Sequence, residues 1–163
     1  MKKNTTKKLF QASKRKFGSE YHHYFFEQYK VFINSLEHTS RRHQKTSDFF
    51  LALNTGLIAI LGIVSSNYEN AEFILVASAL IGMVVCYFWY RIIKVYQWKS
   101  RGKFKVIYEI EKKLPLALYK TEWEIFKESR DEKNFTPFTA IESKIPWIFI
   151  VFYVVIWIWI IFL

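Results

Sequence analysis

Glycine and proline are scarce, with five and three in 163 residues, which excludes a collagen-like or low-complexity chain. The single cysteine, Cys86, lies in an apolar block, so neither an intrachain disulfide nor a Cys-rich metal site can form. Acidic residues are also few: 14 Asp and Glu stand against 24 Lys and Arg, a formal net charge of +10. No Gly-rich phosphate loop, HExxH, CxxC or nucleophile elbow occurs. The chain is therefore not expected to be an enzyme or to carry a cofactor. His22, His23, His38 and His43 lack the i,i+3 or i,i+4 spacing of a shared metal site and read as surface histidines.

What the chain has in abundance is apolar and aromatic character, 52% and 20% of residues, gathered into three nearly charge-free blocks. That distribution predicts an all-α integral membrane protein with three transmembrane helices and a helical cytoplasmic region. Phe49 to Tyr68 carries no charge, and as a helix it covers about 30 Å, the hydrocarbon thickness of a bilayer; the span itself is placed at residues 49–66. Phe73 to Tyr90 is the second span, ending in an aromatic belt before Arg91, and Ile145 to Leu163 is the third. Lys and Arg number 11 in residues 1–48, none in 69–72 and 13 in 91–144. The positive-inside rule then puts the N-terminus in the cytoplasm and the C-terminus outside, in a multi-pass topology. The first 20 residues have no continuous apolar core, so no cleavable signal is expected.

The organisation follows as 1–48, a basic tail and an amphipathic aromatic helix; 49–90, a transmembrane hairpin; 91–144, a cytoplasmic helical region; and 145–163, the third span. In the first segment Tyr21, Phe25, Tyr29, Phe32 and Leu36 recur at helical steps, with Ser19 as N-cap. This helix is expected to reach about Arg42, with His43 to Asp48 as a polar hinge. Span two is expected to run on through Gly102 as far as Pro115, followed by a helix from about Leu116 to Arg130 and a polar loop from Asp131 to Pro137. Glu109, Glu111, Glu122 and Glu124 read as solvated ion-pair partners of Lys112, Lys113, Lys120 and Lys127.

Basic residues crowd both approaches to the membrane: Arg41, Arg42, His43 and Lys45 before span one, and Arg91, Lys94, Lys99, Arg101, Lys103 and Lys105 after span two. They fit anionic lipid head groups, or a phosphate-bearing ligand with Trp98, Phe104 and Tyr108 as stacking surfaces. In span one, Asn54 needs a hydrogen-bonding partner, either across a subunit interface or in a water path, and Thr55 lies beside it. Ser78 with Gly82 and Ala52 with Gly56 are small-xxx-small pairs, whereas span three is bulky throughout and is expected to face lipid.

The stretch Arg41 to Gly56, the run from Trp89 through Lys103 to Glu111, and Leu114-Pro115 with Glu122-Trp123 resemble small bacterial membrane effectors of nucleotide-signalling anti-phage defence, the Hailong type among them. The resemblance covers about residues 20 to 126. It implies an oligomeric ion channel of the bacterial inner membrane, controlled by a cytoplasmic nucleotidyltransferase or its nucleotide or DNA-like product, that depolarises the cell. It makes Arg41, Arg42, Lys45, Arg91, Lys99 and Arg101 the ligand candidates and Asn54 and Thr55 the pore candidates. Three spans cannot enclose a pore alone, so a symmetric homo-oligomer is expected, a tetramer by default. The rival reading is a non-conducting membrane-anchored scaffold or sensor that recruits a cytoplasmic partner.

Overall fold

The computed structural model describes residues 9–11, 14–67, 72–131 and 141–162, and among them there is no strand. A short α1 (Lys14–Phe17) and a 3-10 turn (Gly18–Glu20) precede α2 (Tyr21–Asn67), α3 (Glu72–Glu111), α4 (Leu118–Asp131) and α5 (Ile145–Phe162). The helices α2 and α3 are long and apolar enough to cross a membrane, and Ile145–Ile160 is a shorter apolar helix. Lys2, Lys3, Lys7 and Lys8 of the tail, the turn residues 68–71 and the loop residues 132–140 lie outside the described residues.

Two sequence expectations give way here. His43 to Asp48 is not a hinge: α2 runs through it without interruption. Thr46 Oγ1 donates back to Arg42 O at 2.8 Å and Ser47 Oγ donates to Glu142 at 2.9 Å, so neither hydroxyl is left to cap a new helix. Ser19 is not an N-cap either, because the chain turns through Gly18 at φ 60, a conformation suited to glycine, and enters α2 only at Tyr21. Helix α3 does pass through Gly102 but ends at Glu111, four residues short of Pro115: proline has no N–H for the Glu111 carbonyl, which accepts from Leu114 N at 3.0 Å instead.

The chain divides into two compact units, Met1–Ser40 with Trp98–Phe135 and Arg41–Gln97 with Thr136–Leu163, called here the polar and the apolar unit. In the polar unit, Lys103 Nζ donates to Ser35 O and Oγ at 2.5 and 2.6 Å and to Thr39 Oγ1 at 2.7 Å, pinning α3 to α2. Glu111 is buried and accepts from the backbone N–H groups of Tyr119 at 2.8 Å and Lys120 at 3.1 Å. It thus neutralises the open N-terminal donors of α4. Burial first, then the Glu111 charge, hold the Tyr29 hydroxyl above its ordinary range, so it stays a donor to that carboxylate. The ion pairs Lys112–Glu109 at 2.8 Å and Lys120–Glu124 at 3.5 Å are as the spacing suggests; Glu111 is instead a buried cap.

The apolar unit is built on three stripes with a 3.5-residue repeat. On α2 the inward residues are His43, Ser47, Phe50, Asn54, Ile58 and Leu61; on α3, Leu75, Ala79, Gly82, Cys86, Trp89 and Ile93; toward and along α5, Glu142, Pro146, Phe149, Tyr153, Ile156 and Ile160. Such a repeat keeps one seam of each helix facing its neighbours. A Cβ built on Gly82 would overlap the Tyr153 ring. Gly82 is therefore the recess that admits the largest polar side chain of α5, and α5 is not purely lipid-facing.

Gly82→Val is expected to lower the thermal midpoint of the solubilised protein by overpacking, a cost of about 1–3 kcal/mol. The cost should shrink in a Tyr153→Leu background; an equal cost in both backgrounds would place the strain elsewhere.

Candidate functional site

Within the apolar unit α2 carries a second stripe on another face, and it is exposed along its whole length: Arg41, Lys45, Asp48, Ala52, Thr55, Ala59, Gly62 and Ser66, at alternating steps of four and three. Three charged residues come first, followed by small residues and hydroxyls with no bulky side chain among them. Thr55 Oγ1 donates to Leu51 O and Ser66 Oγ to Gly62 O, both at 2.9 Å. Each hydroxyl spends its proton on its own helix and keeps lone pairs for whatever lies outside. A Cβ built on Gly62 meets nothing within 4 Å. The exposed faces of the other apolar helices are different in kind: Phe73, Ile74, Ile81, Val84 and Phe88 on α3, and Ile148, Val151, Phe152 and Val155 on α5. Those are side chains suited to hydrocarbon.

Asn54 is not on that stripe. It has no exposed surface, and its amide is used up inside the subunit: Nδ2 donates to Phe50 O at 2.8 Å, while Oδ1 accepts from Cys86 Sγ at 3.0 Å and from Tyr153 OH at 3.2 Å. A pore-lining group must meet water, so the pore role expected of Asn54 is corrected to that of an internal clasp joining all three apolar helices. The need of Asn54 for a partner was legible in the sequence. The partners were missed because the stripes of the three blocks were not laid against one another: Cys86 and Tyr153 each occupy the matching central position of their own 3.5-residue repeat.

Nearer the charged end, Ser47 and His43 converge on Glu142, which is 8% exposed. His43 Nε2 stands 3.3 Å from Glu142 Oε1, at ion-pair distance but outside hydrogen-bond geometry, and the His43 ring lies 5.0 Å from that of Tyr96. His43 thus belongs to a packed internal cluster and is not a surface histidine. Below it the Trp89 indole stacks on Phe50 at 6.0 Å, its buried Nε1 without a hydrogen-bond partner among the described residues.

The six basic ligand candidates divide between the units. Arg41, Arg42, Lys45 and Arg91 lie in the apolar unit, and Lys99 and Arg101 in the polar unit; all six are exposed. Arg91 Nη1 donates to Tyr87 OH at 3.4 Å. Lys103 is taken out of the basic cluster by its bonds to α2. Of the stacking candidates, Trp98 is 75% exposed. Phe104 instead packs on Tyr108 at 6.2 Å and on Tyr119 at 6.1 Å, as part of the structure around Glu111 and not as an open platform. Among the described residues no group of three or more His, Cys, Asp or Glu could hold a metal ion.

The sequence matches the model of a family described as 8xMP, octameric membrane protein family, over residues 26–162. No curated protein and no solved structure matches the chain.

Asn54→Leu fills the same space but removes the acceptor of the Cys86 thiol and leaves the Tyr153 hydroxyl only the backbone carbonyl of residue 54 at 3.4 Å, a loss of about 1–3 kcal/mol. The expected outcome is a lower thermal midpoint together with faster labelling of Cys86 by a thiol reagent. An unchanged midpoint would show that the amide is not the clasp.

Proposed function

The chain belongs to the octameric membrane protein family, and from that premise we propose that it forms an oligomeric ion channel whose water path is lined by α2. The chain is an oligomeric membrane protein with transmembrane helices; conduction is the step beyond. The observation that carries it is the exposed stripe Ala52, Thr55, Ala59, Gly62 and Ser66, the one face of the apolar helices made of small and hydroxylic residues among those described. Small polar faces within a membrane serve water paths or close helix contacts.

The number of subunits bears on which. Eight α2 helices set side by side at the usual spacing of about 9 Å put their axes roughly 12 Å from the symmetry axis, leaving roughly 6 Å of free radius inside the helix surfaces. Four would leave about 1 Å, too narrow for a hydrated ion. Eight, the number in the family description, therefore replaces four in this proposal. A path of that width discriminates weakly between ions, which suits a protein that collapses a membrane potential.

The cytoplasmic side is assigned by the distribution of Lys and Arg, which puts the polar unit and the charged end of the stripe inside the cell and makes α5 a third span. The signal that opens the path acts on the cytoplasmic parts. Arg41, Arg42, Lys45, Arg91, Lys99 and Arg101 are the groups that would meet a phosphate-bearing ligand or a nucleotidyltransferase partner, and anionic lipids compete for the same charges. The resemblance to membrane effectors of anti-phage systems supports the defence role, the nucleotide signal and the bacterial inner membrane. No catalytic step is proposed. In the non-conducting scaffold reading the stripe is instead a dry seam between subunits.

Single cysteines placed along the stripe separate the two, and the fully buried Cys86 gives a silent background. Charged thiol reagents are expected to label Ala52→Cys, Thr55→Cys, Ala59→Cys and Gly62→Cys but not Ile81→Cys or Val84→Cys, and Gly62→Trp should abolish depolarisation seen with a voltage-sensitive dye. A stripe that stays unlabelled in intact membranes and in open detergent particles removes the water path.

A further inference from the structure

We propose that the groove between α3 and α5 holds an anionic phospholipid, with its phosphate among Lys94, Lys144 and Arg91 and its acyl chains along the apolar strip below. The inference gives the lipid contact of the proposed function a site. It rests on the membrane placement and orientation given there, and not on conduction or on the opening signal.

Two antiparallel helices that touch at one level bring together what each carries one turn further on. On α3 and α5, Gly82 meets Tyr153 and Trp89 meets Phe149, so the helices run in opposite directions. The rings of Tyr90 and Trp147 close this face of the pair edge to face, with centroids 5.6 Å apart. Lys94 stands about 6 Å beyond Tyr90 along α3, and Lys144 about 5 Å before Trp147. Both displacements point to the cytoplasmic side, and both lysines are exposed. Lys94 Nζ rests over the Tyr90 ring at 5.2 Å, and Arg91 Nη1 donates to Tyr87 OH at 3.4 Å. Three cations from two segments thus gather around one aromatic pair.

No carboxylate on this face answers them. The acidic residues within 41–97 and 136–163 are Asp48, Glu69, Glu72 and Glu142. Asp48 is on the exposed stripe of α2, and Glu69 and Glu72 precede span two whereas the cations follow it. Glu142 is buried, accepting from Ser47 and standing beside His43. Like charges held this close are stabilised by an anion they can share, and phosphate oxygens are strong acceptors for ammonium and guanidinium donors.

The surface underneath separates a lipid phosphate from a free one. Val151, Val154 and Ile158 follow Trp147 at steps of four, three and four, and Met83 and Leu80 lie below Tyr90 on the same side of α3. None is charged, and Leu80, Val151 and Ile158 are 48%, 61% and 44% exposed. From Tyr90 to Leu80 the strip covers about 15 Å, the depth of one leaflet of hydrocarbon. A soluble phosphate would leave that strip bare, whereas acyl chains cover it. Trp and Tyr rings favour the head-group level, and the cytoplasmic leaflet is the one rich in anionic lipid.

Native mass spectrometry of the intact oligomer in detergent, with phosphatidylglycerol or phosphatidylcholine added, tests the site. Phosphatidylglycerol is expected to be retained about tenfold more tightly than phosphatidylcholine, and Lys94→Ala with Lys144→Ala should remove that preference. Lys94→Arg with Lys144→Arg should keep it. Lys105→Ala with Lys127→Ala removes the same charge away from the groove and should leave retention unchanged. Equal loss in the two alanine pairs would mean diffuse attraction to net charge and would overturn the site. Glycerol phosphate displacing phosphatidylglycerol at equal concentration would overturn it in favour of a free phosphate ligand. An unmutated oligomer with no lipid preference overturns it as well, the result expected if a neighbouring copy closes the groove. Orientation is read separately, by Lys144→Cys against the buried Cys86. It should react with an impermeant thiol reagent only after the cells are opened, and labelling of intact cells would refute the orientation whatever the masses show.

Discussion

An amide buried among apolar helices has to be satisfied, and the apolar unit is arranged around the way Asn54 meets that demand. One carboxamide donates to its own helix and accepts from a thiol on α3 and a phenol on α5. Since an unpaired polar group in an apolar medium costs several kcal/mol, only one register of the three helices keeps all partners in place. That register puts Tyr153 over Gly82 and stacks Trp89 on Phe50. It also decides what α2 shows to the outside: with the Asn54 face turned inward, the stripe from Arg41 to Ser66 faces outward.

The polar unit applies the same rule to charge. Lys103 is a half-buried and Glu111 a buried ionisable side chain, and each is satisfied by fixed partners: the ammonium by Ser35 and Thr39, the carboxylate by the first turn of α4. Both therefore hold helices in position, whereas Glu109 and Glu124 remain in i,i+3 and i,i+4 pairs of the kind that contribute little. The exposed apolar side chains of α3 and α5, Phe73, Ile81, Ile148 and Val151 among them, are more than a lone subunit would show to water, and membership of an octameric membrane protein family gives that area a physical reason. Surface that water would reject in a monomer is what a ring needs at its seams and its membrane belt.

Much of the architecture was legible in the chain. Charge-free blocks of span length cannot be anything but apolar helices when glycine and proline are this scarce, and the helix through Gly102 followed from an unbroken period. The places that misled were local signals overridden by packing. His43 to Asp48 has the composition of a hinge, but its hydroxyls are engaged elsewhere and the helix continues. The bulk of span three concealed that Tyr153 turns inward, because bulk does not reveal which side a phenol faces. For the candidate site, Arg41, Lys45 and Thr55 are on the exposed stripe and Asn54 is not, a distinction of one residue that in a helix amounts to about 100° of rotation.

By itself the sequence determined the all-helical class, the apolar blocks and the asymmetry of positive charge, because length, composition and periodicity act within single segments. Only the tertiary structure decided which face of each helix is inside, which buried polar groups satisfy one another, and which stripe of α2 is left for other subunits or for water. Those choices depend on three segments meeting at once, and the partners of Asn54 lie 32 and 99 residues away along the chain, beyond the reach of any local pattern.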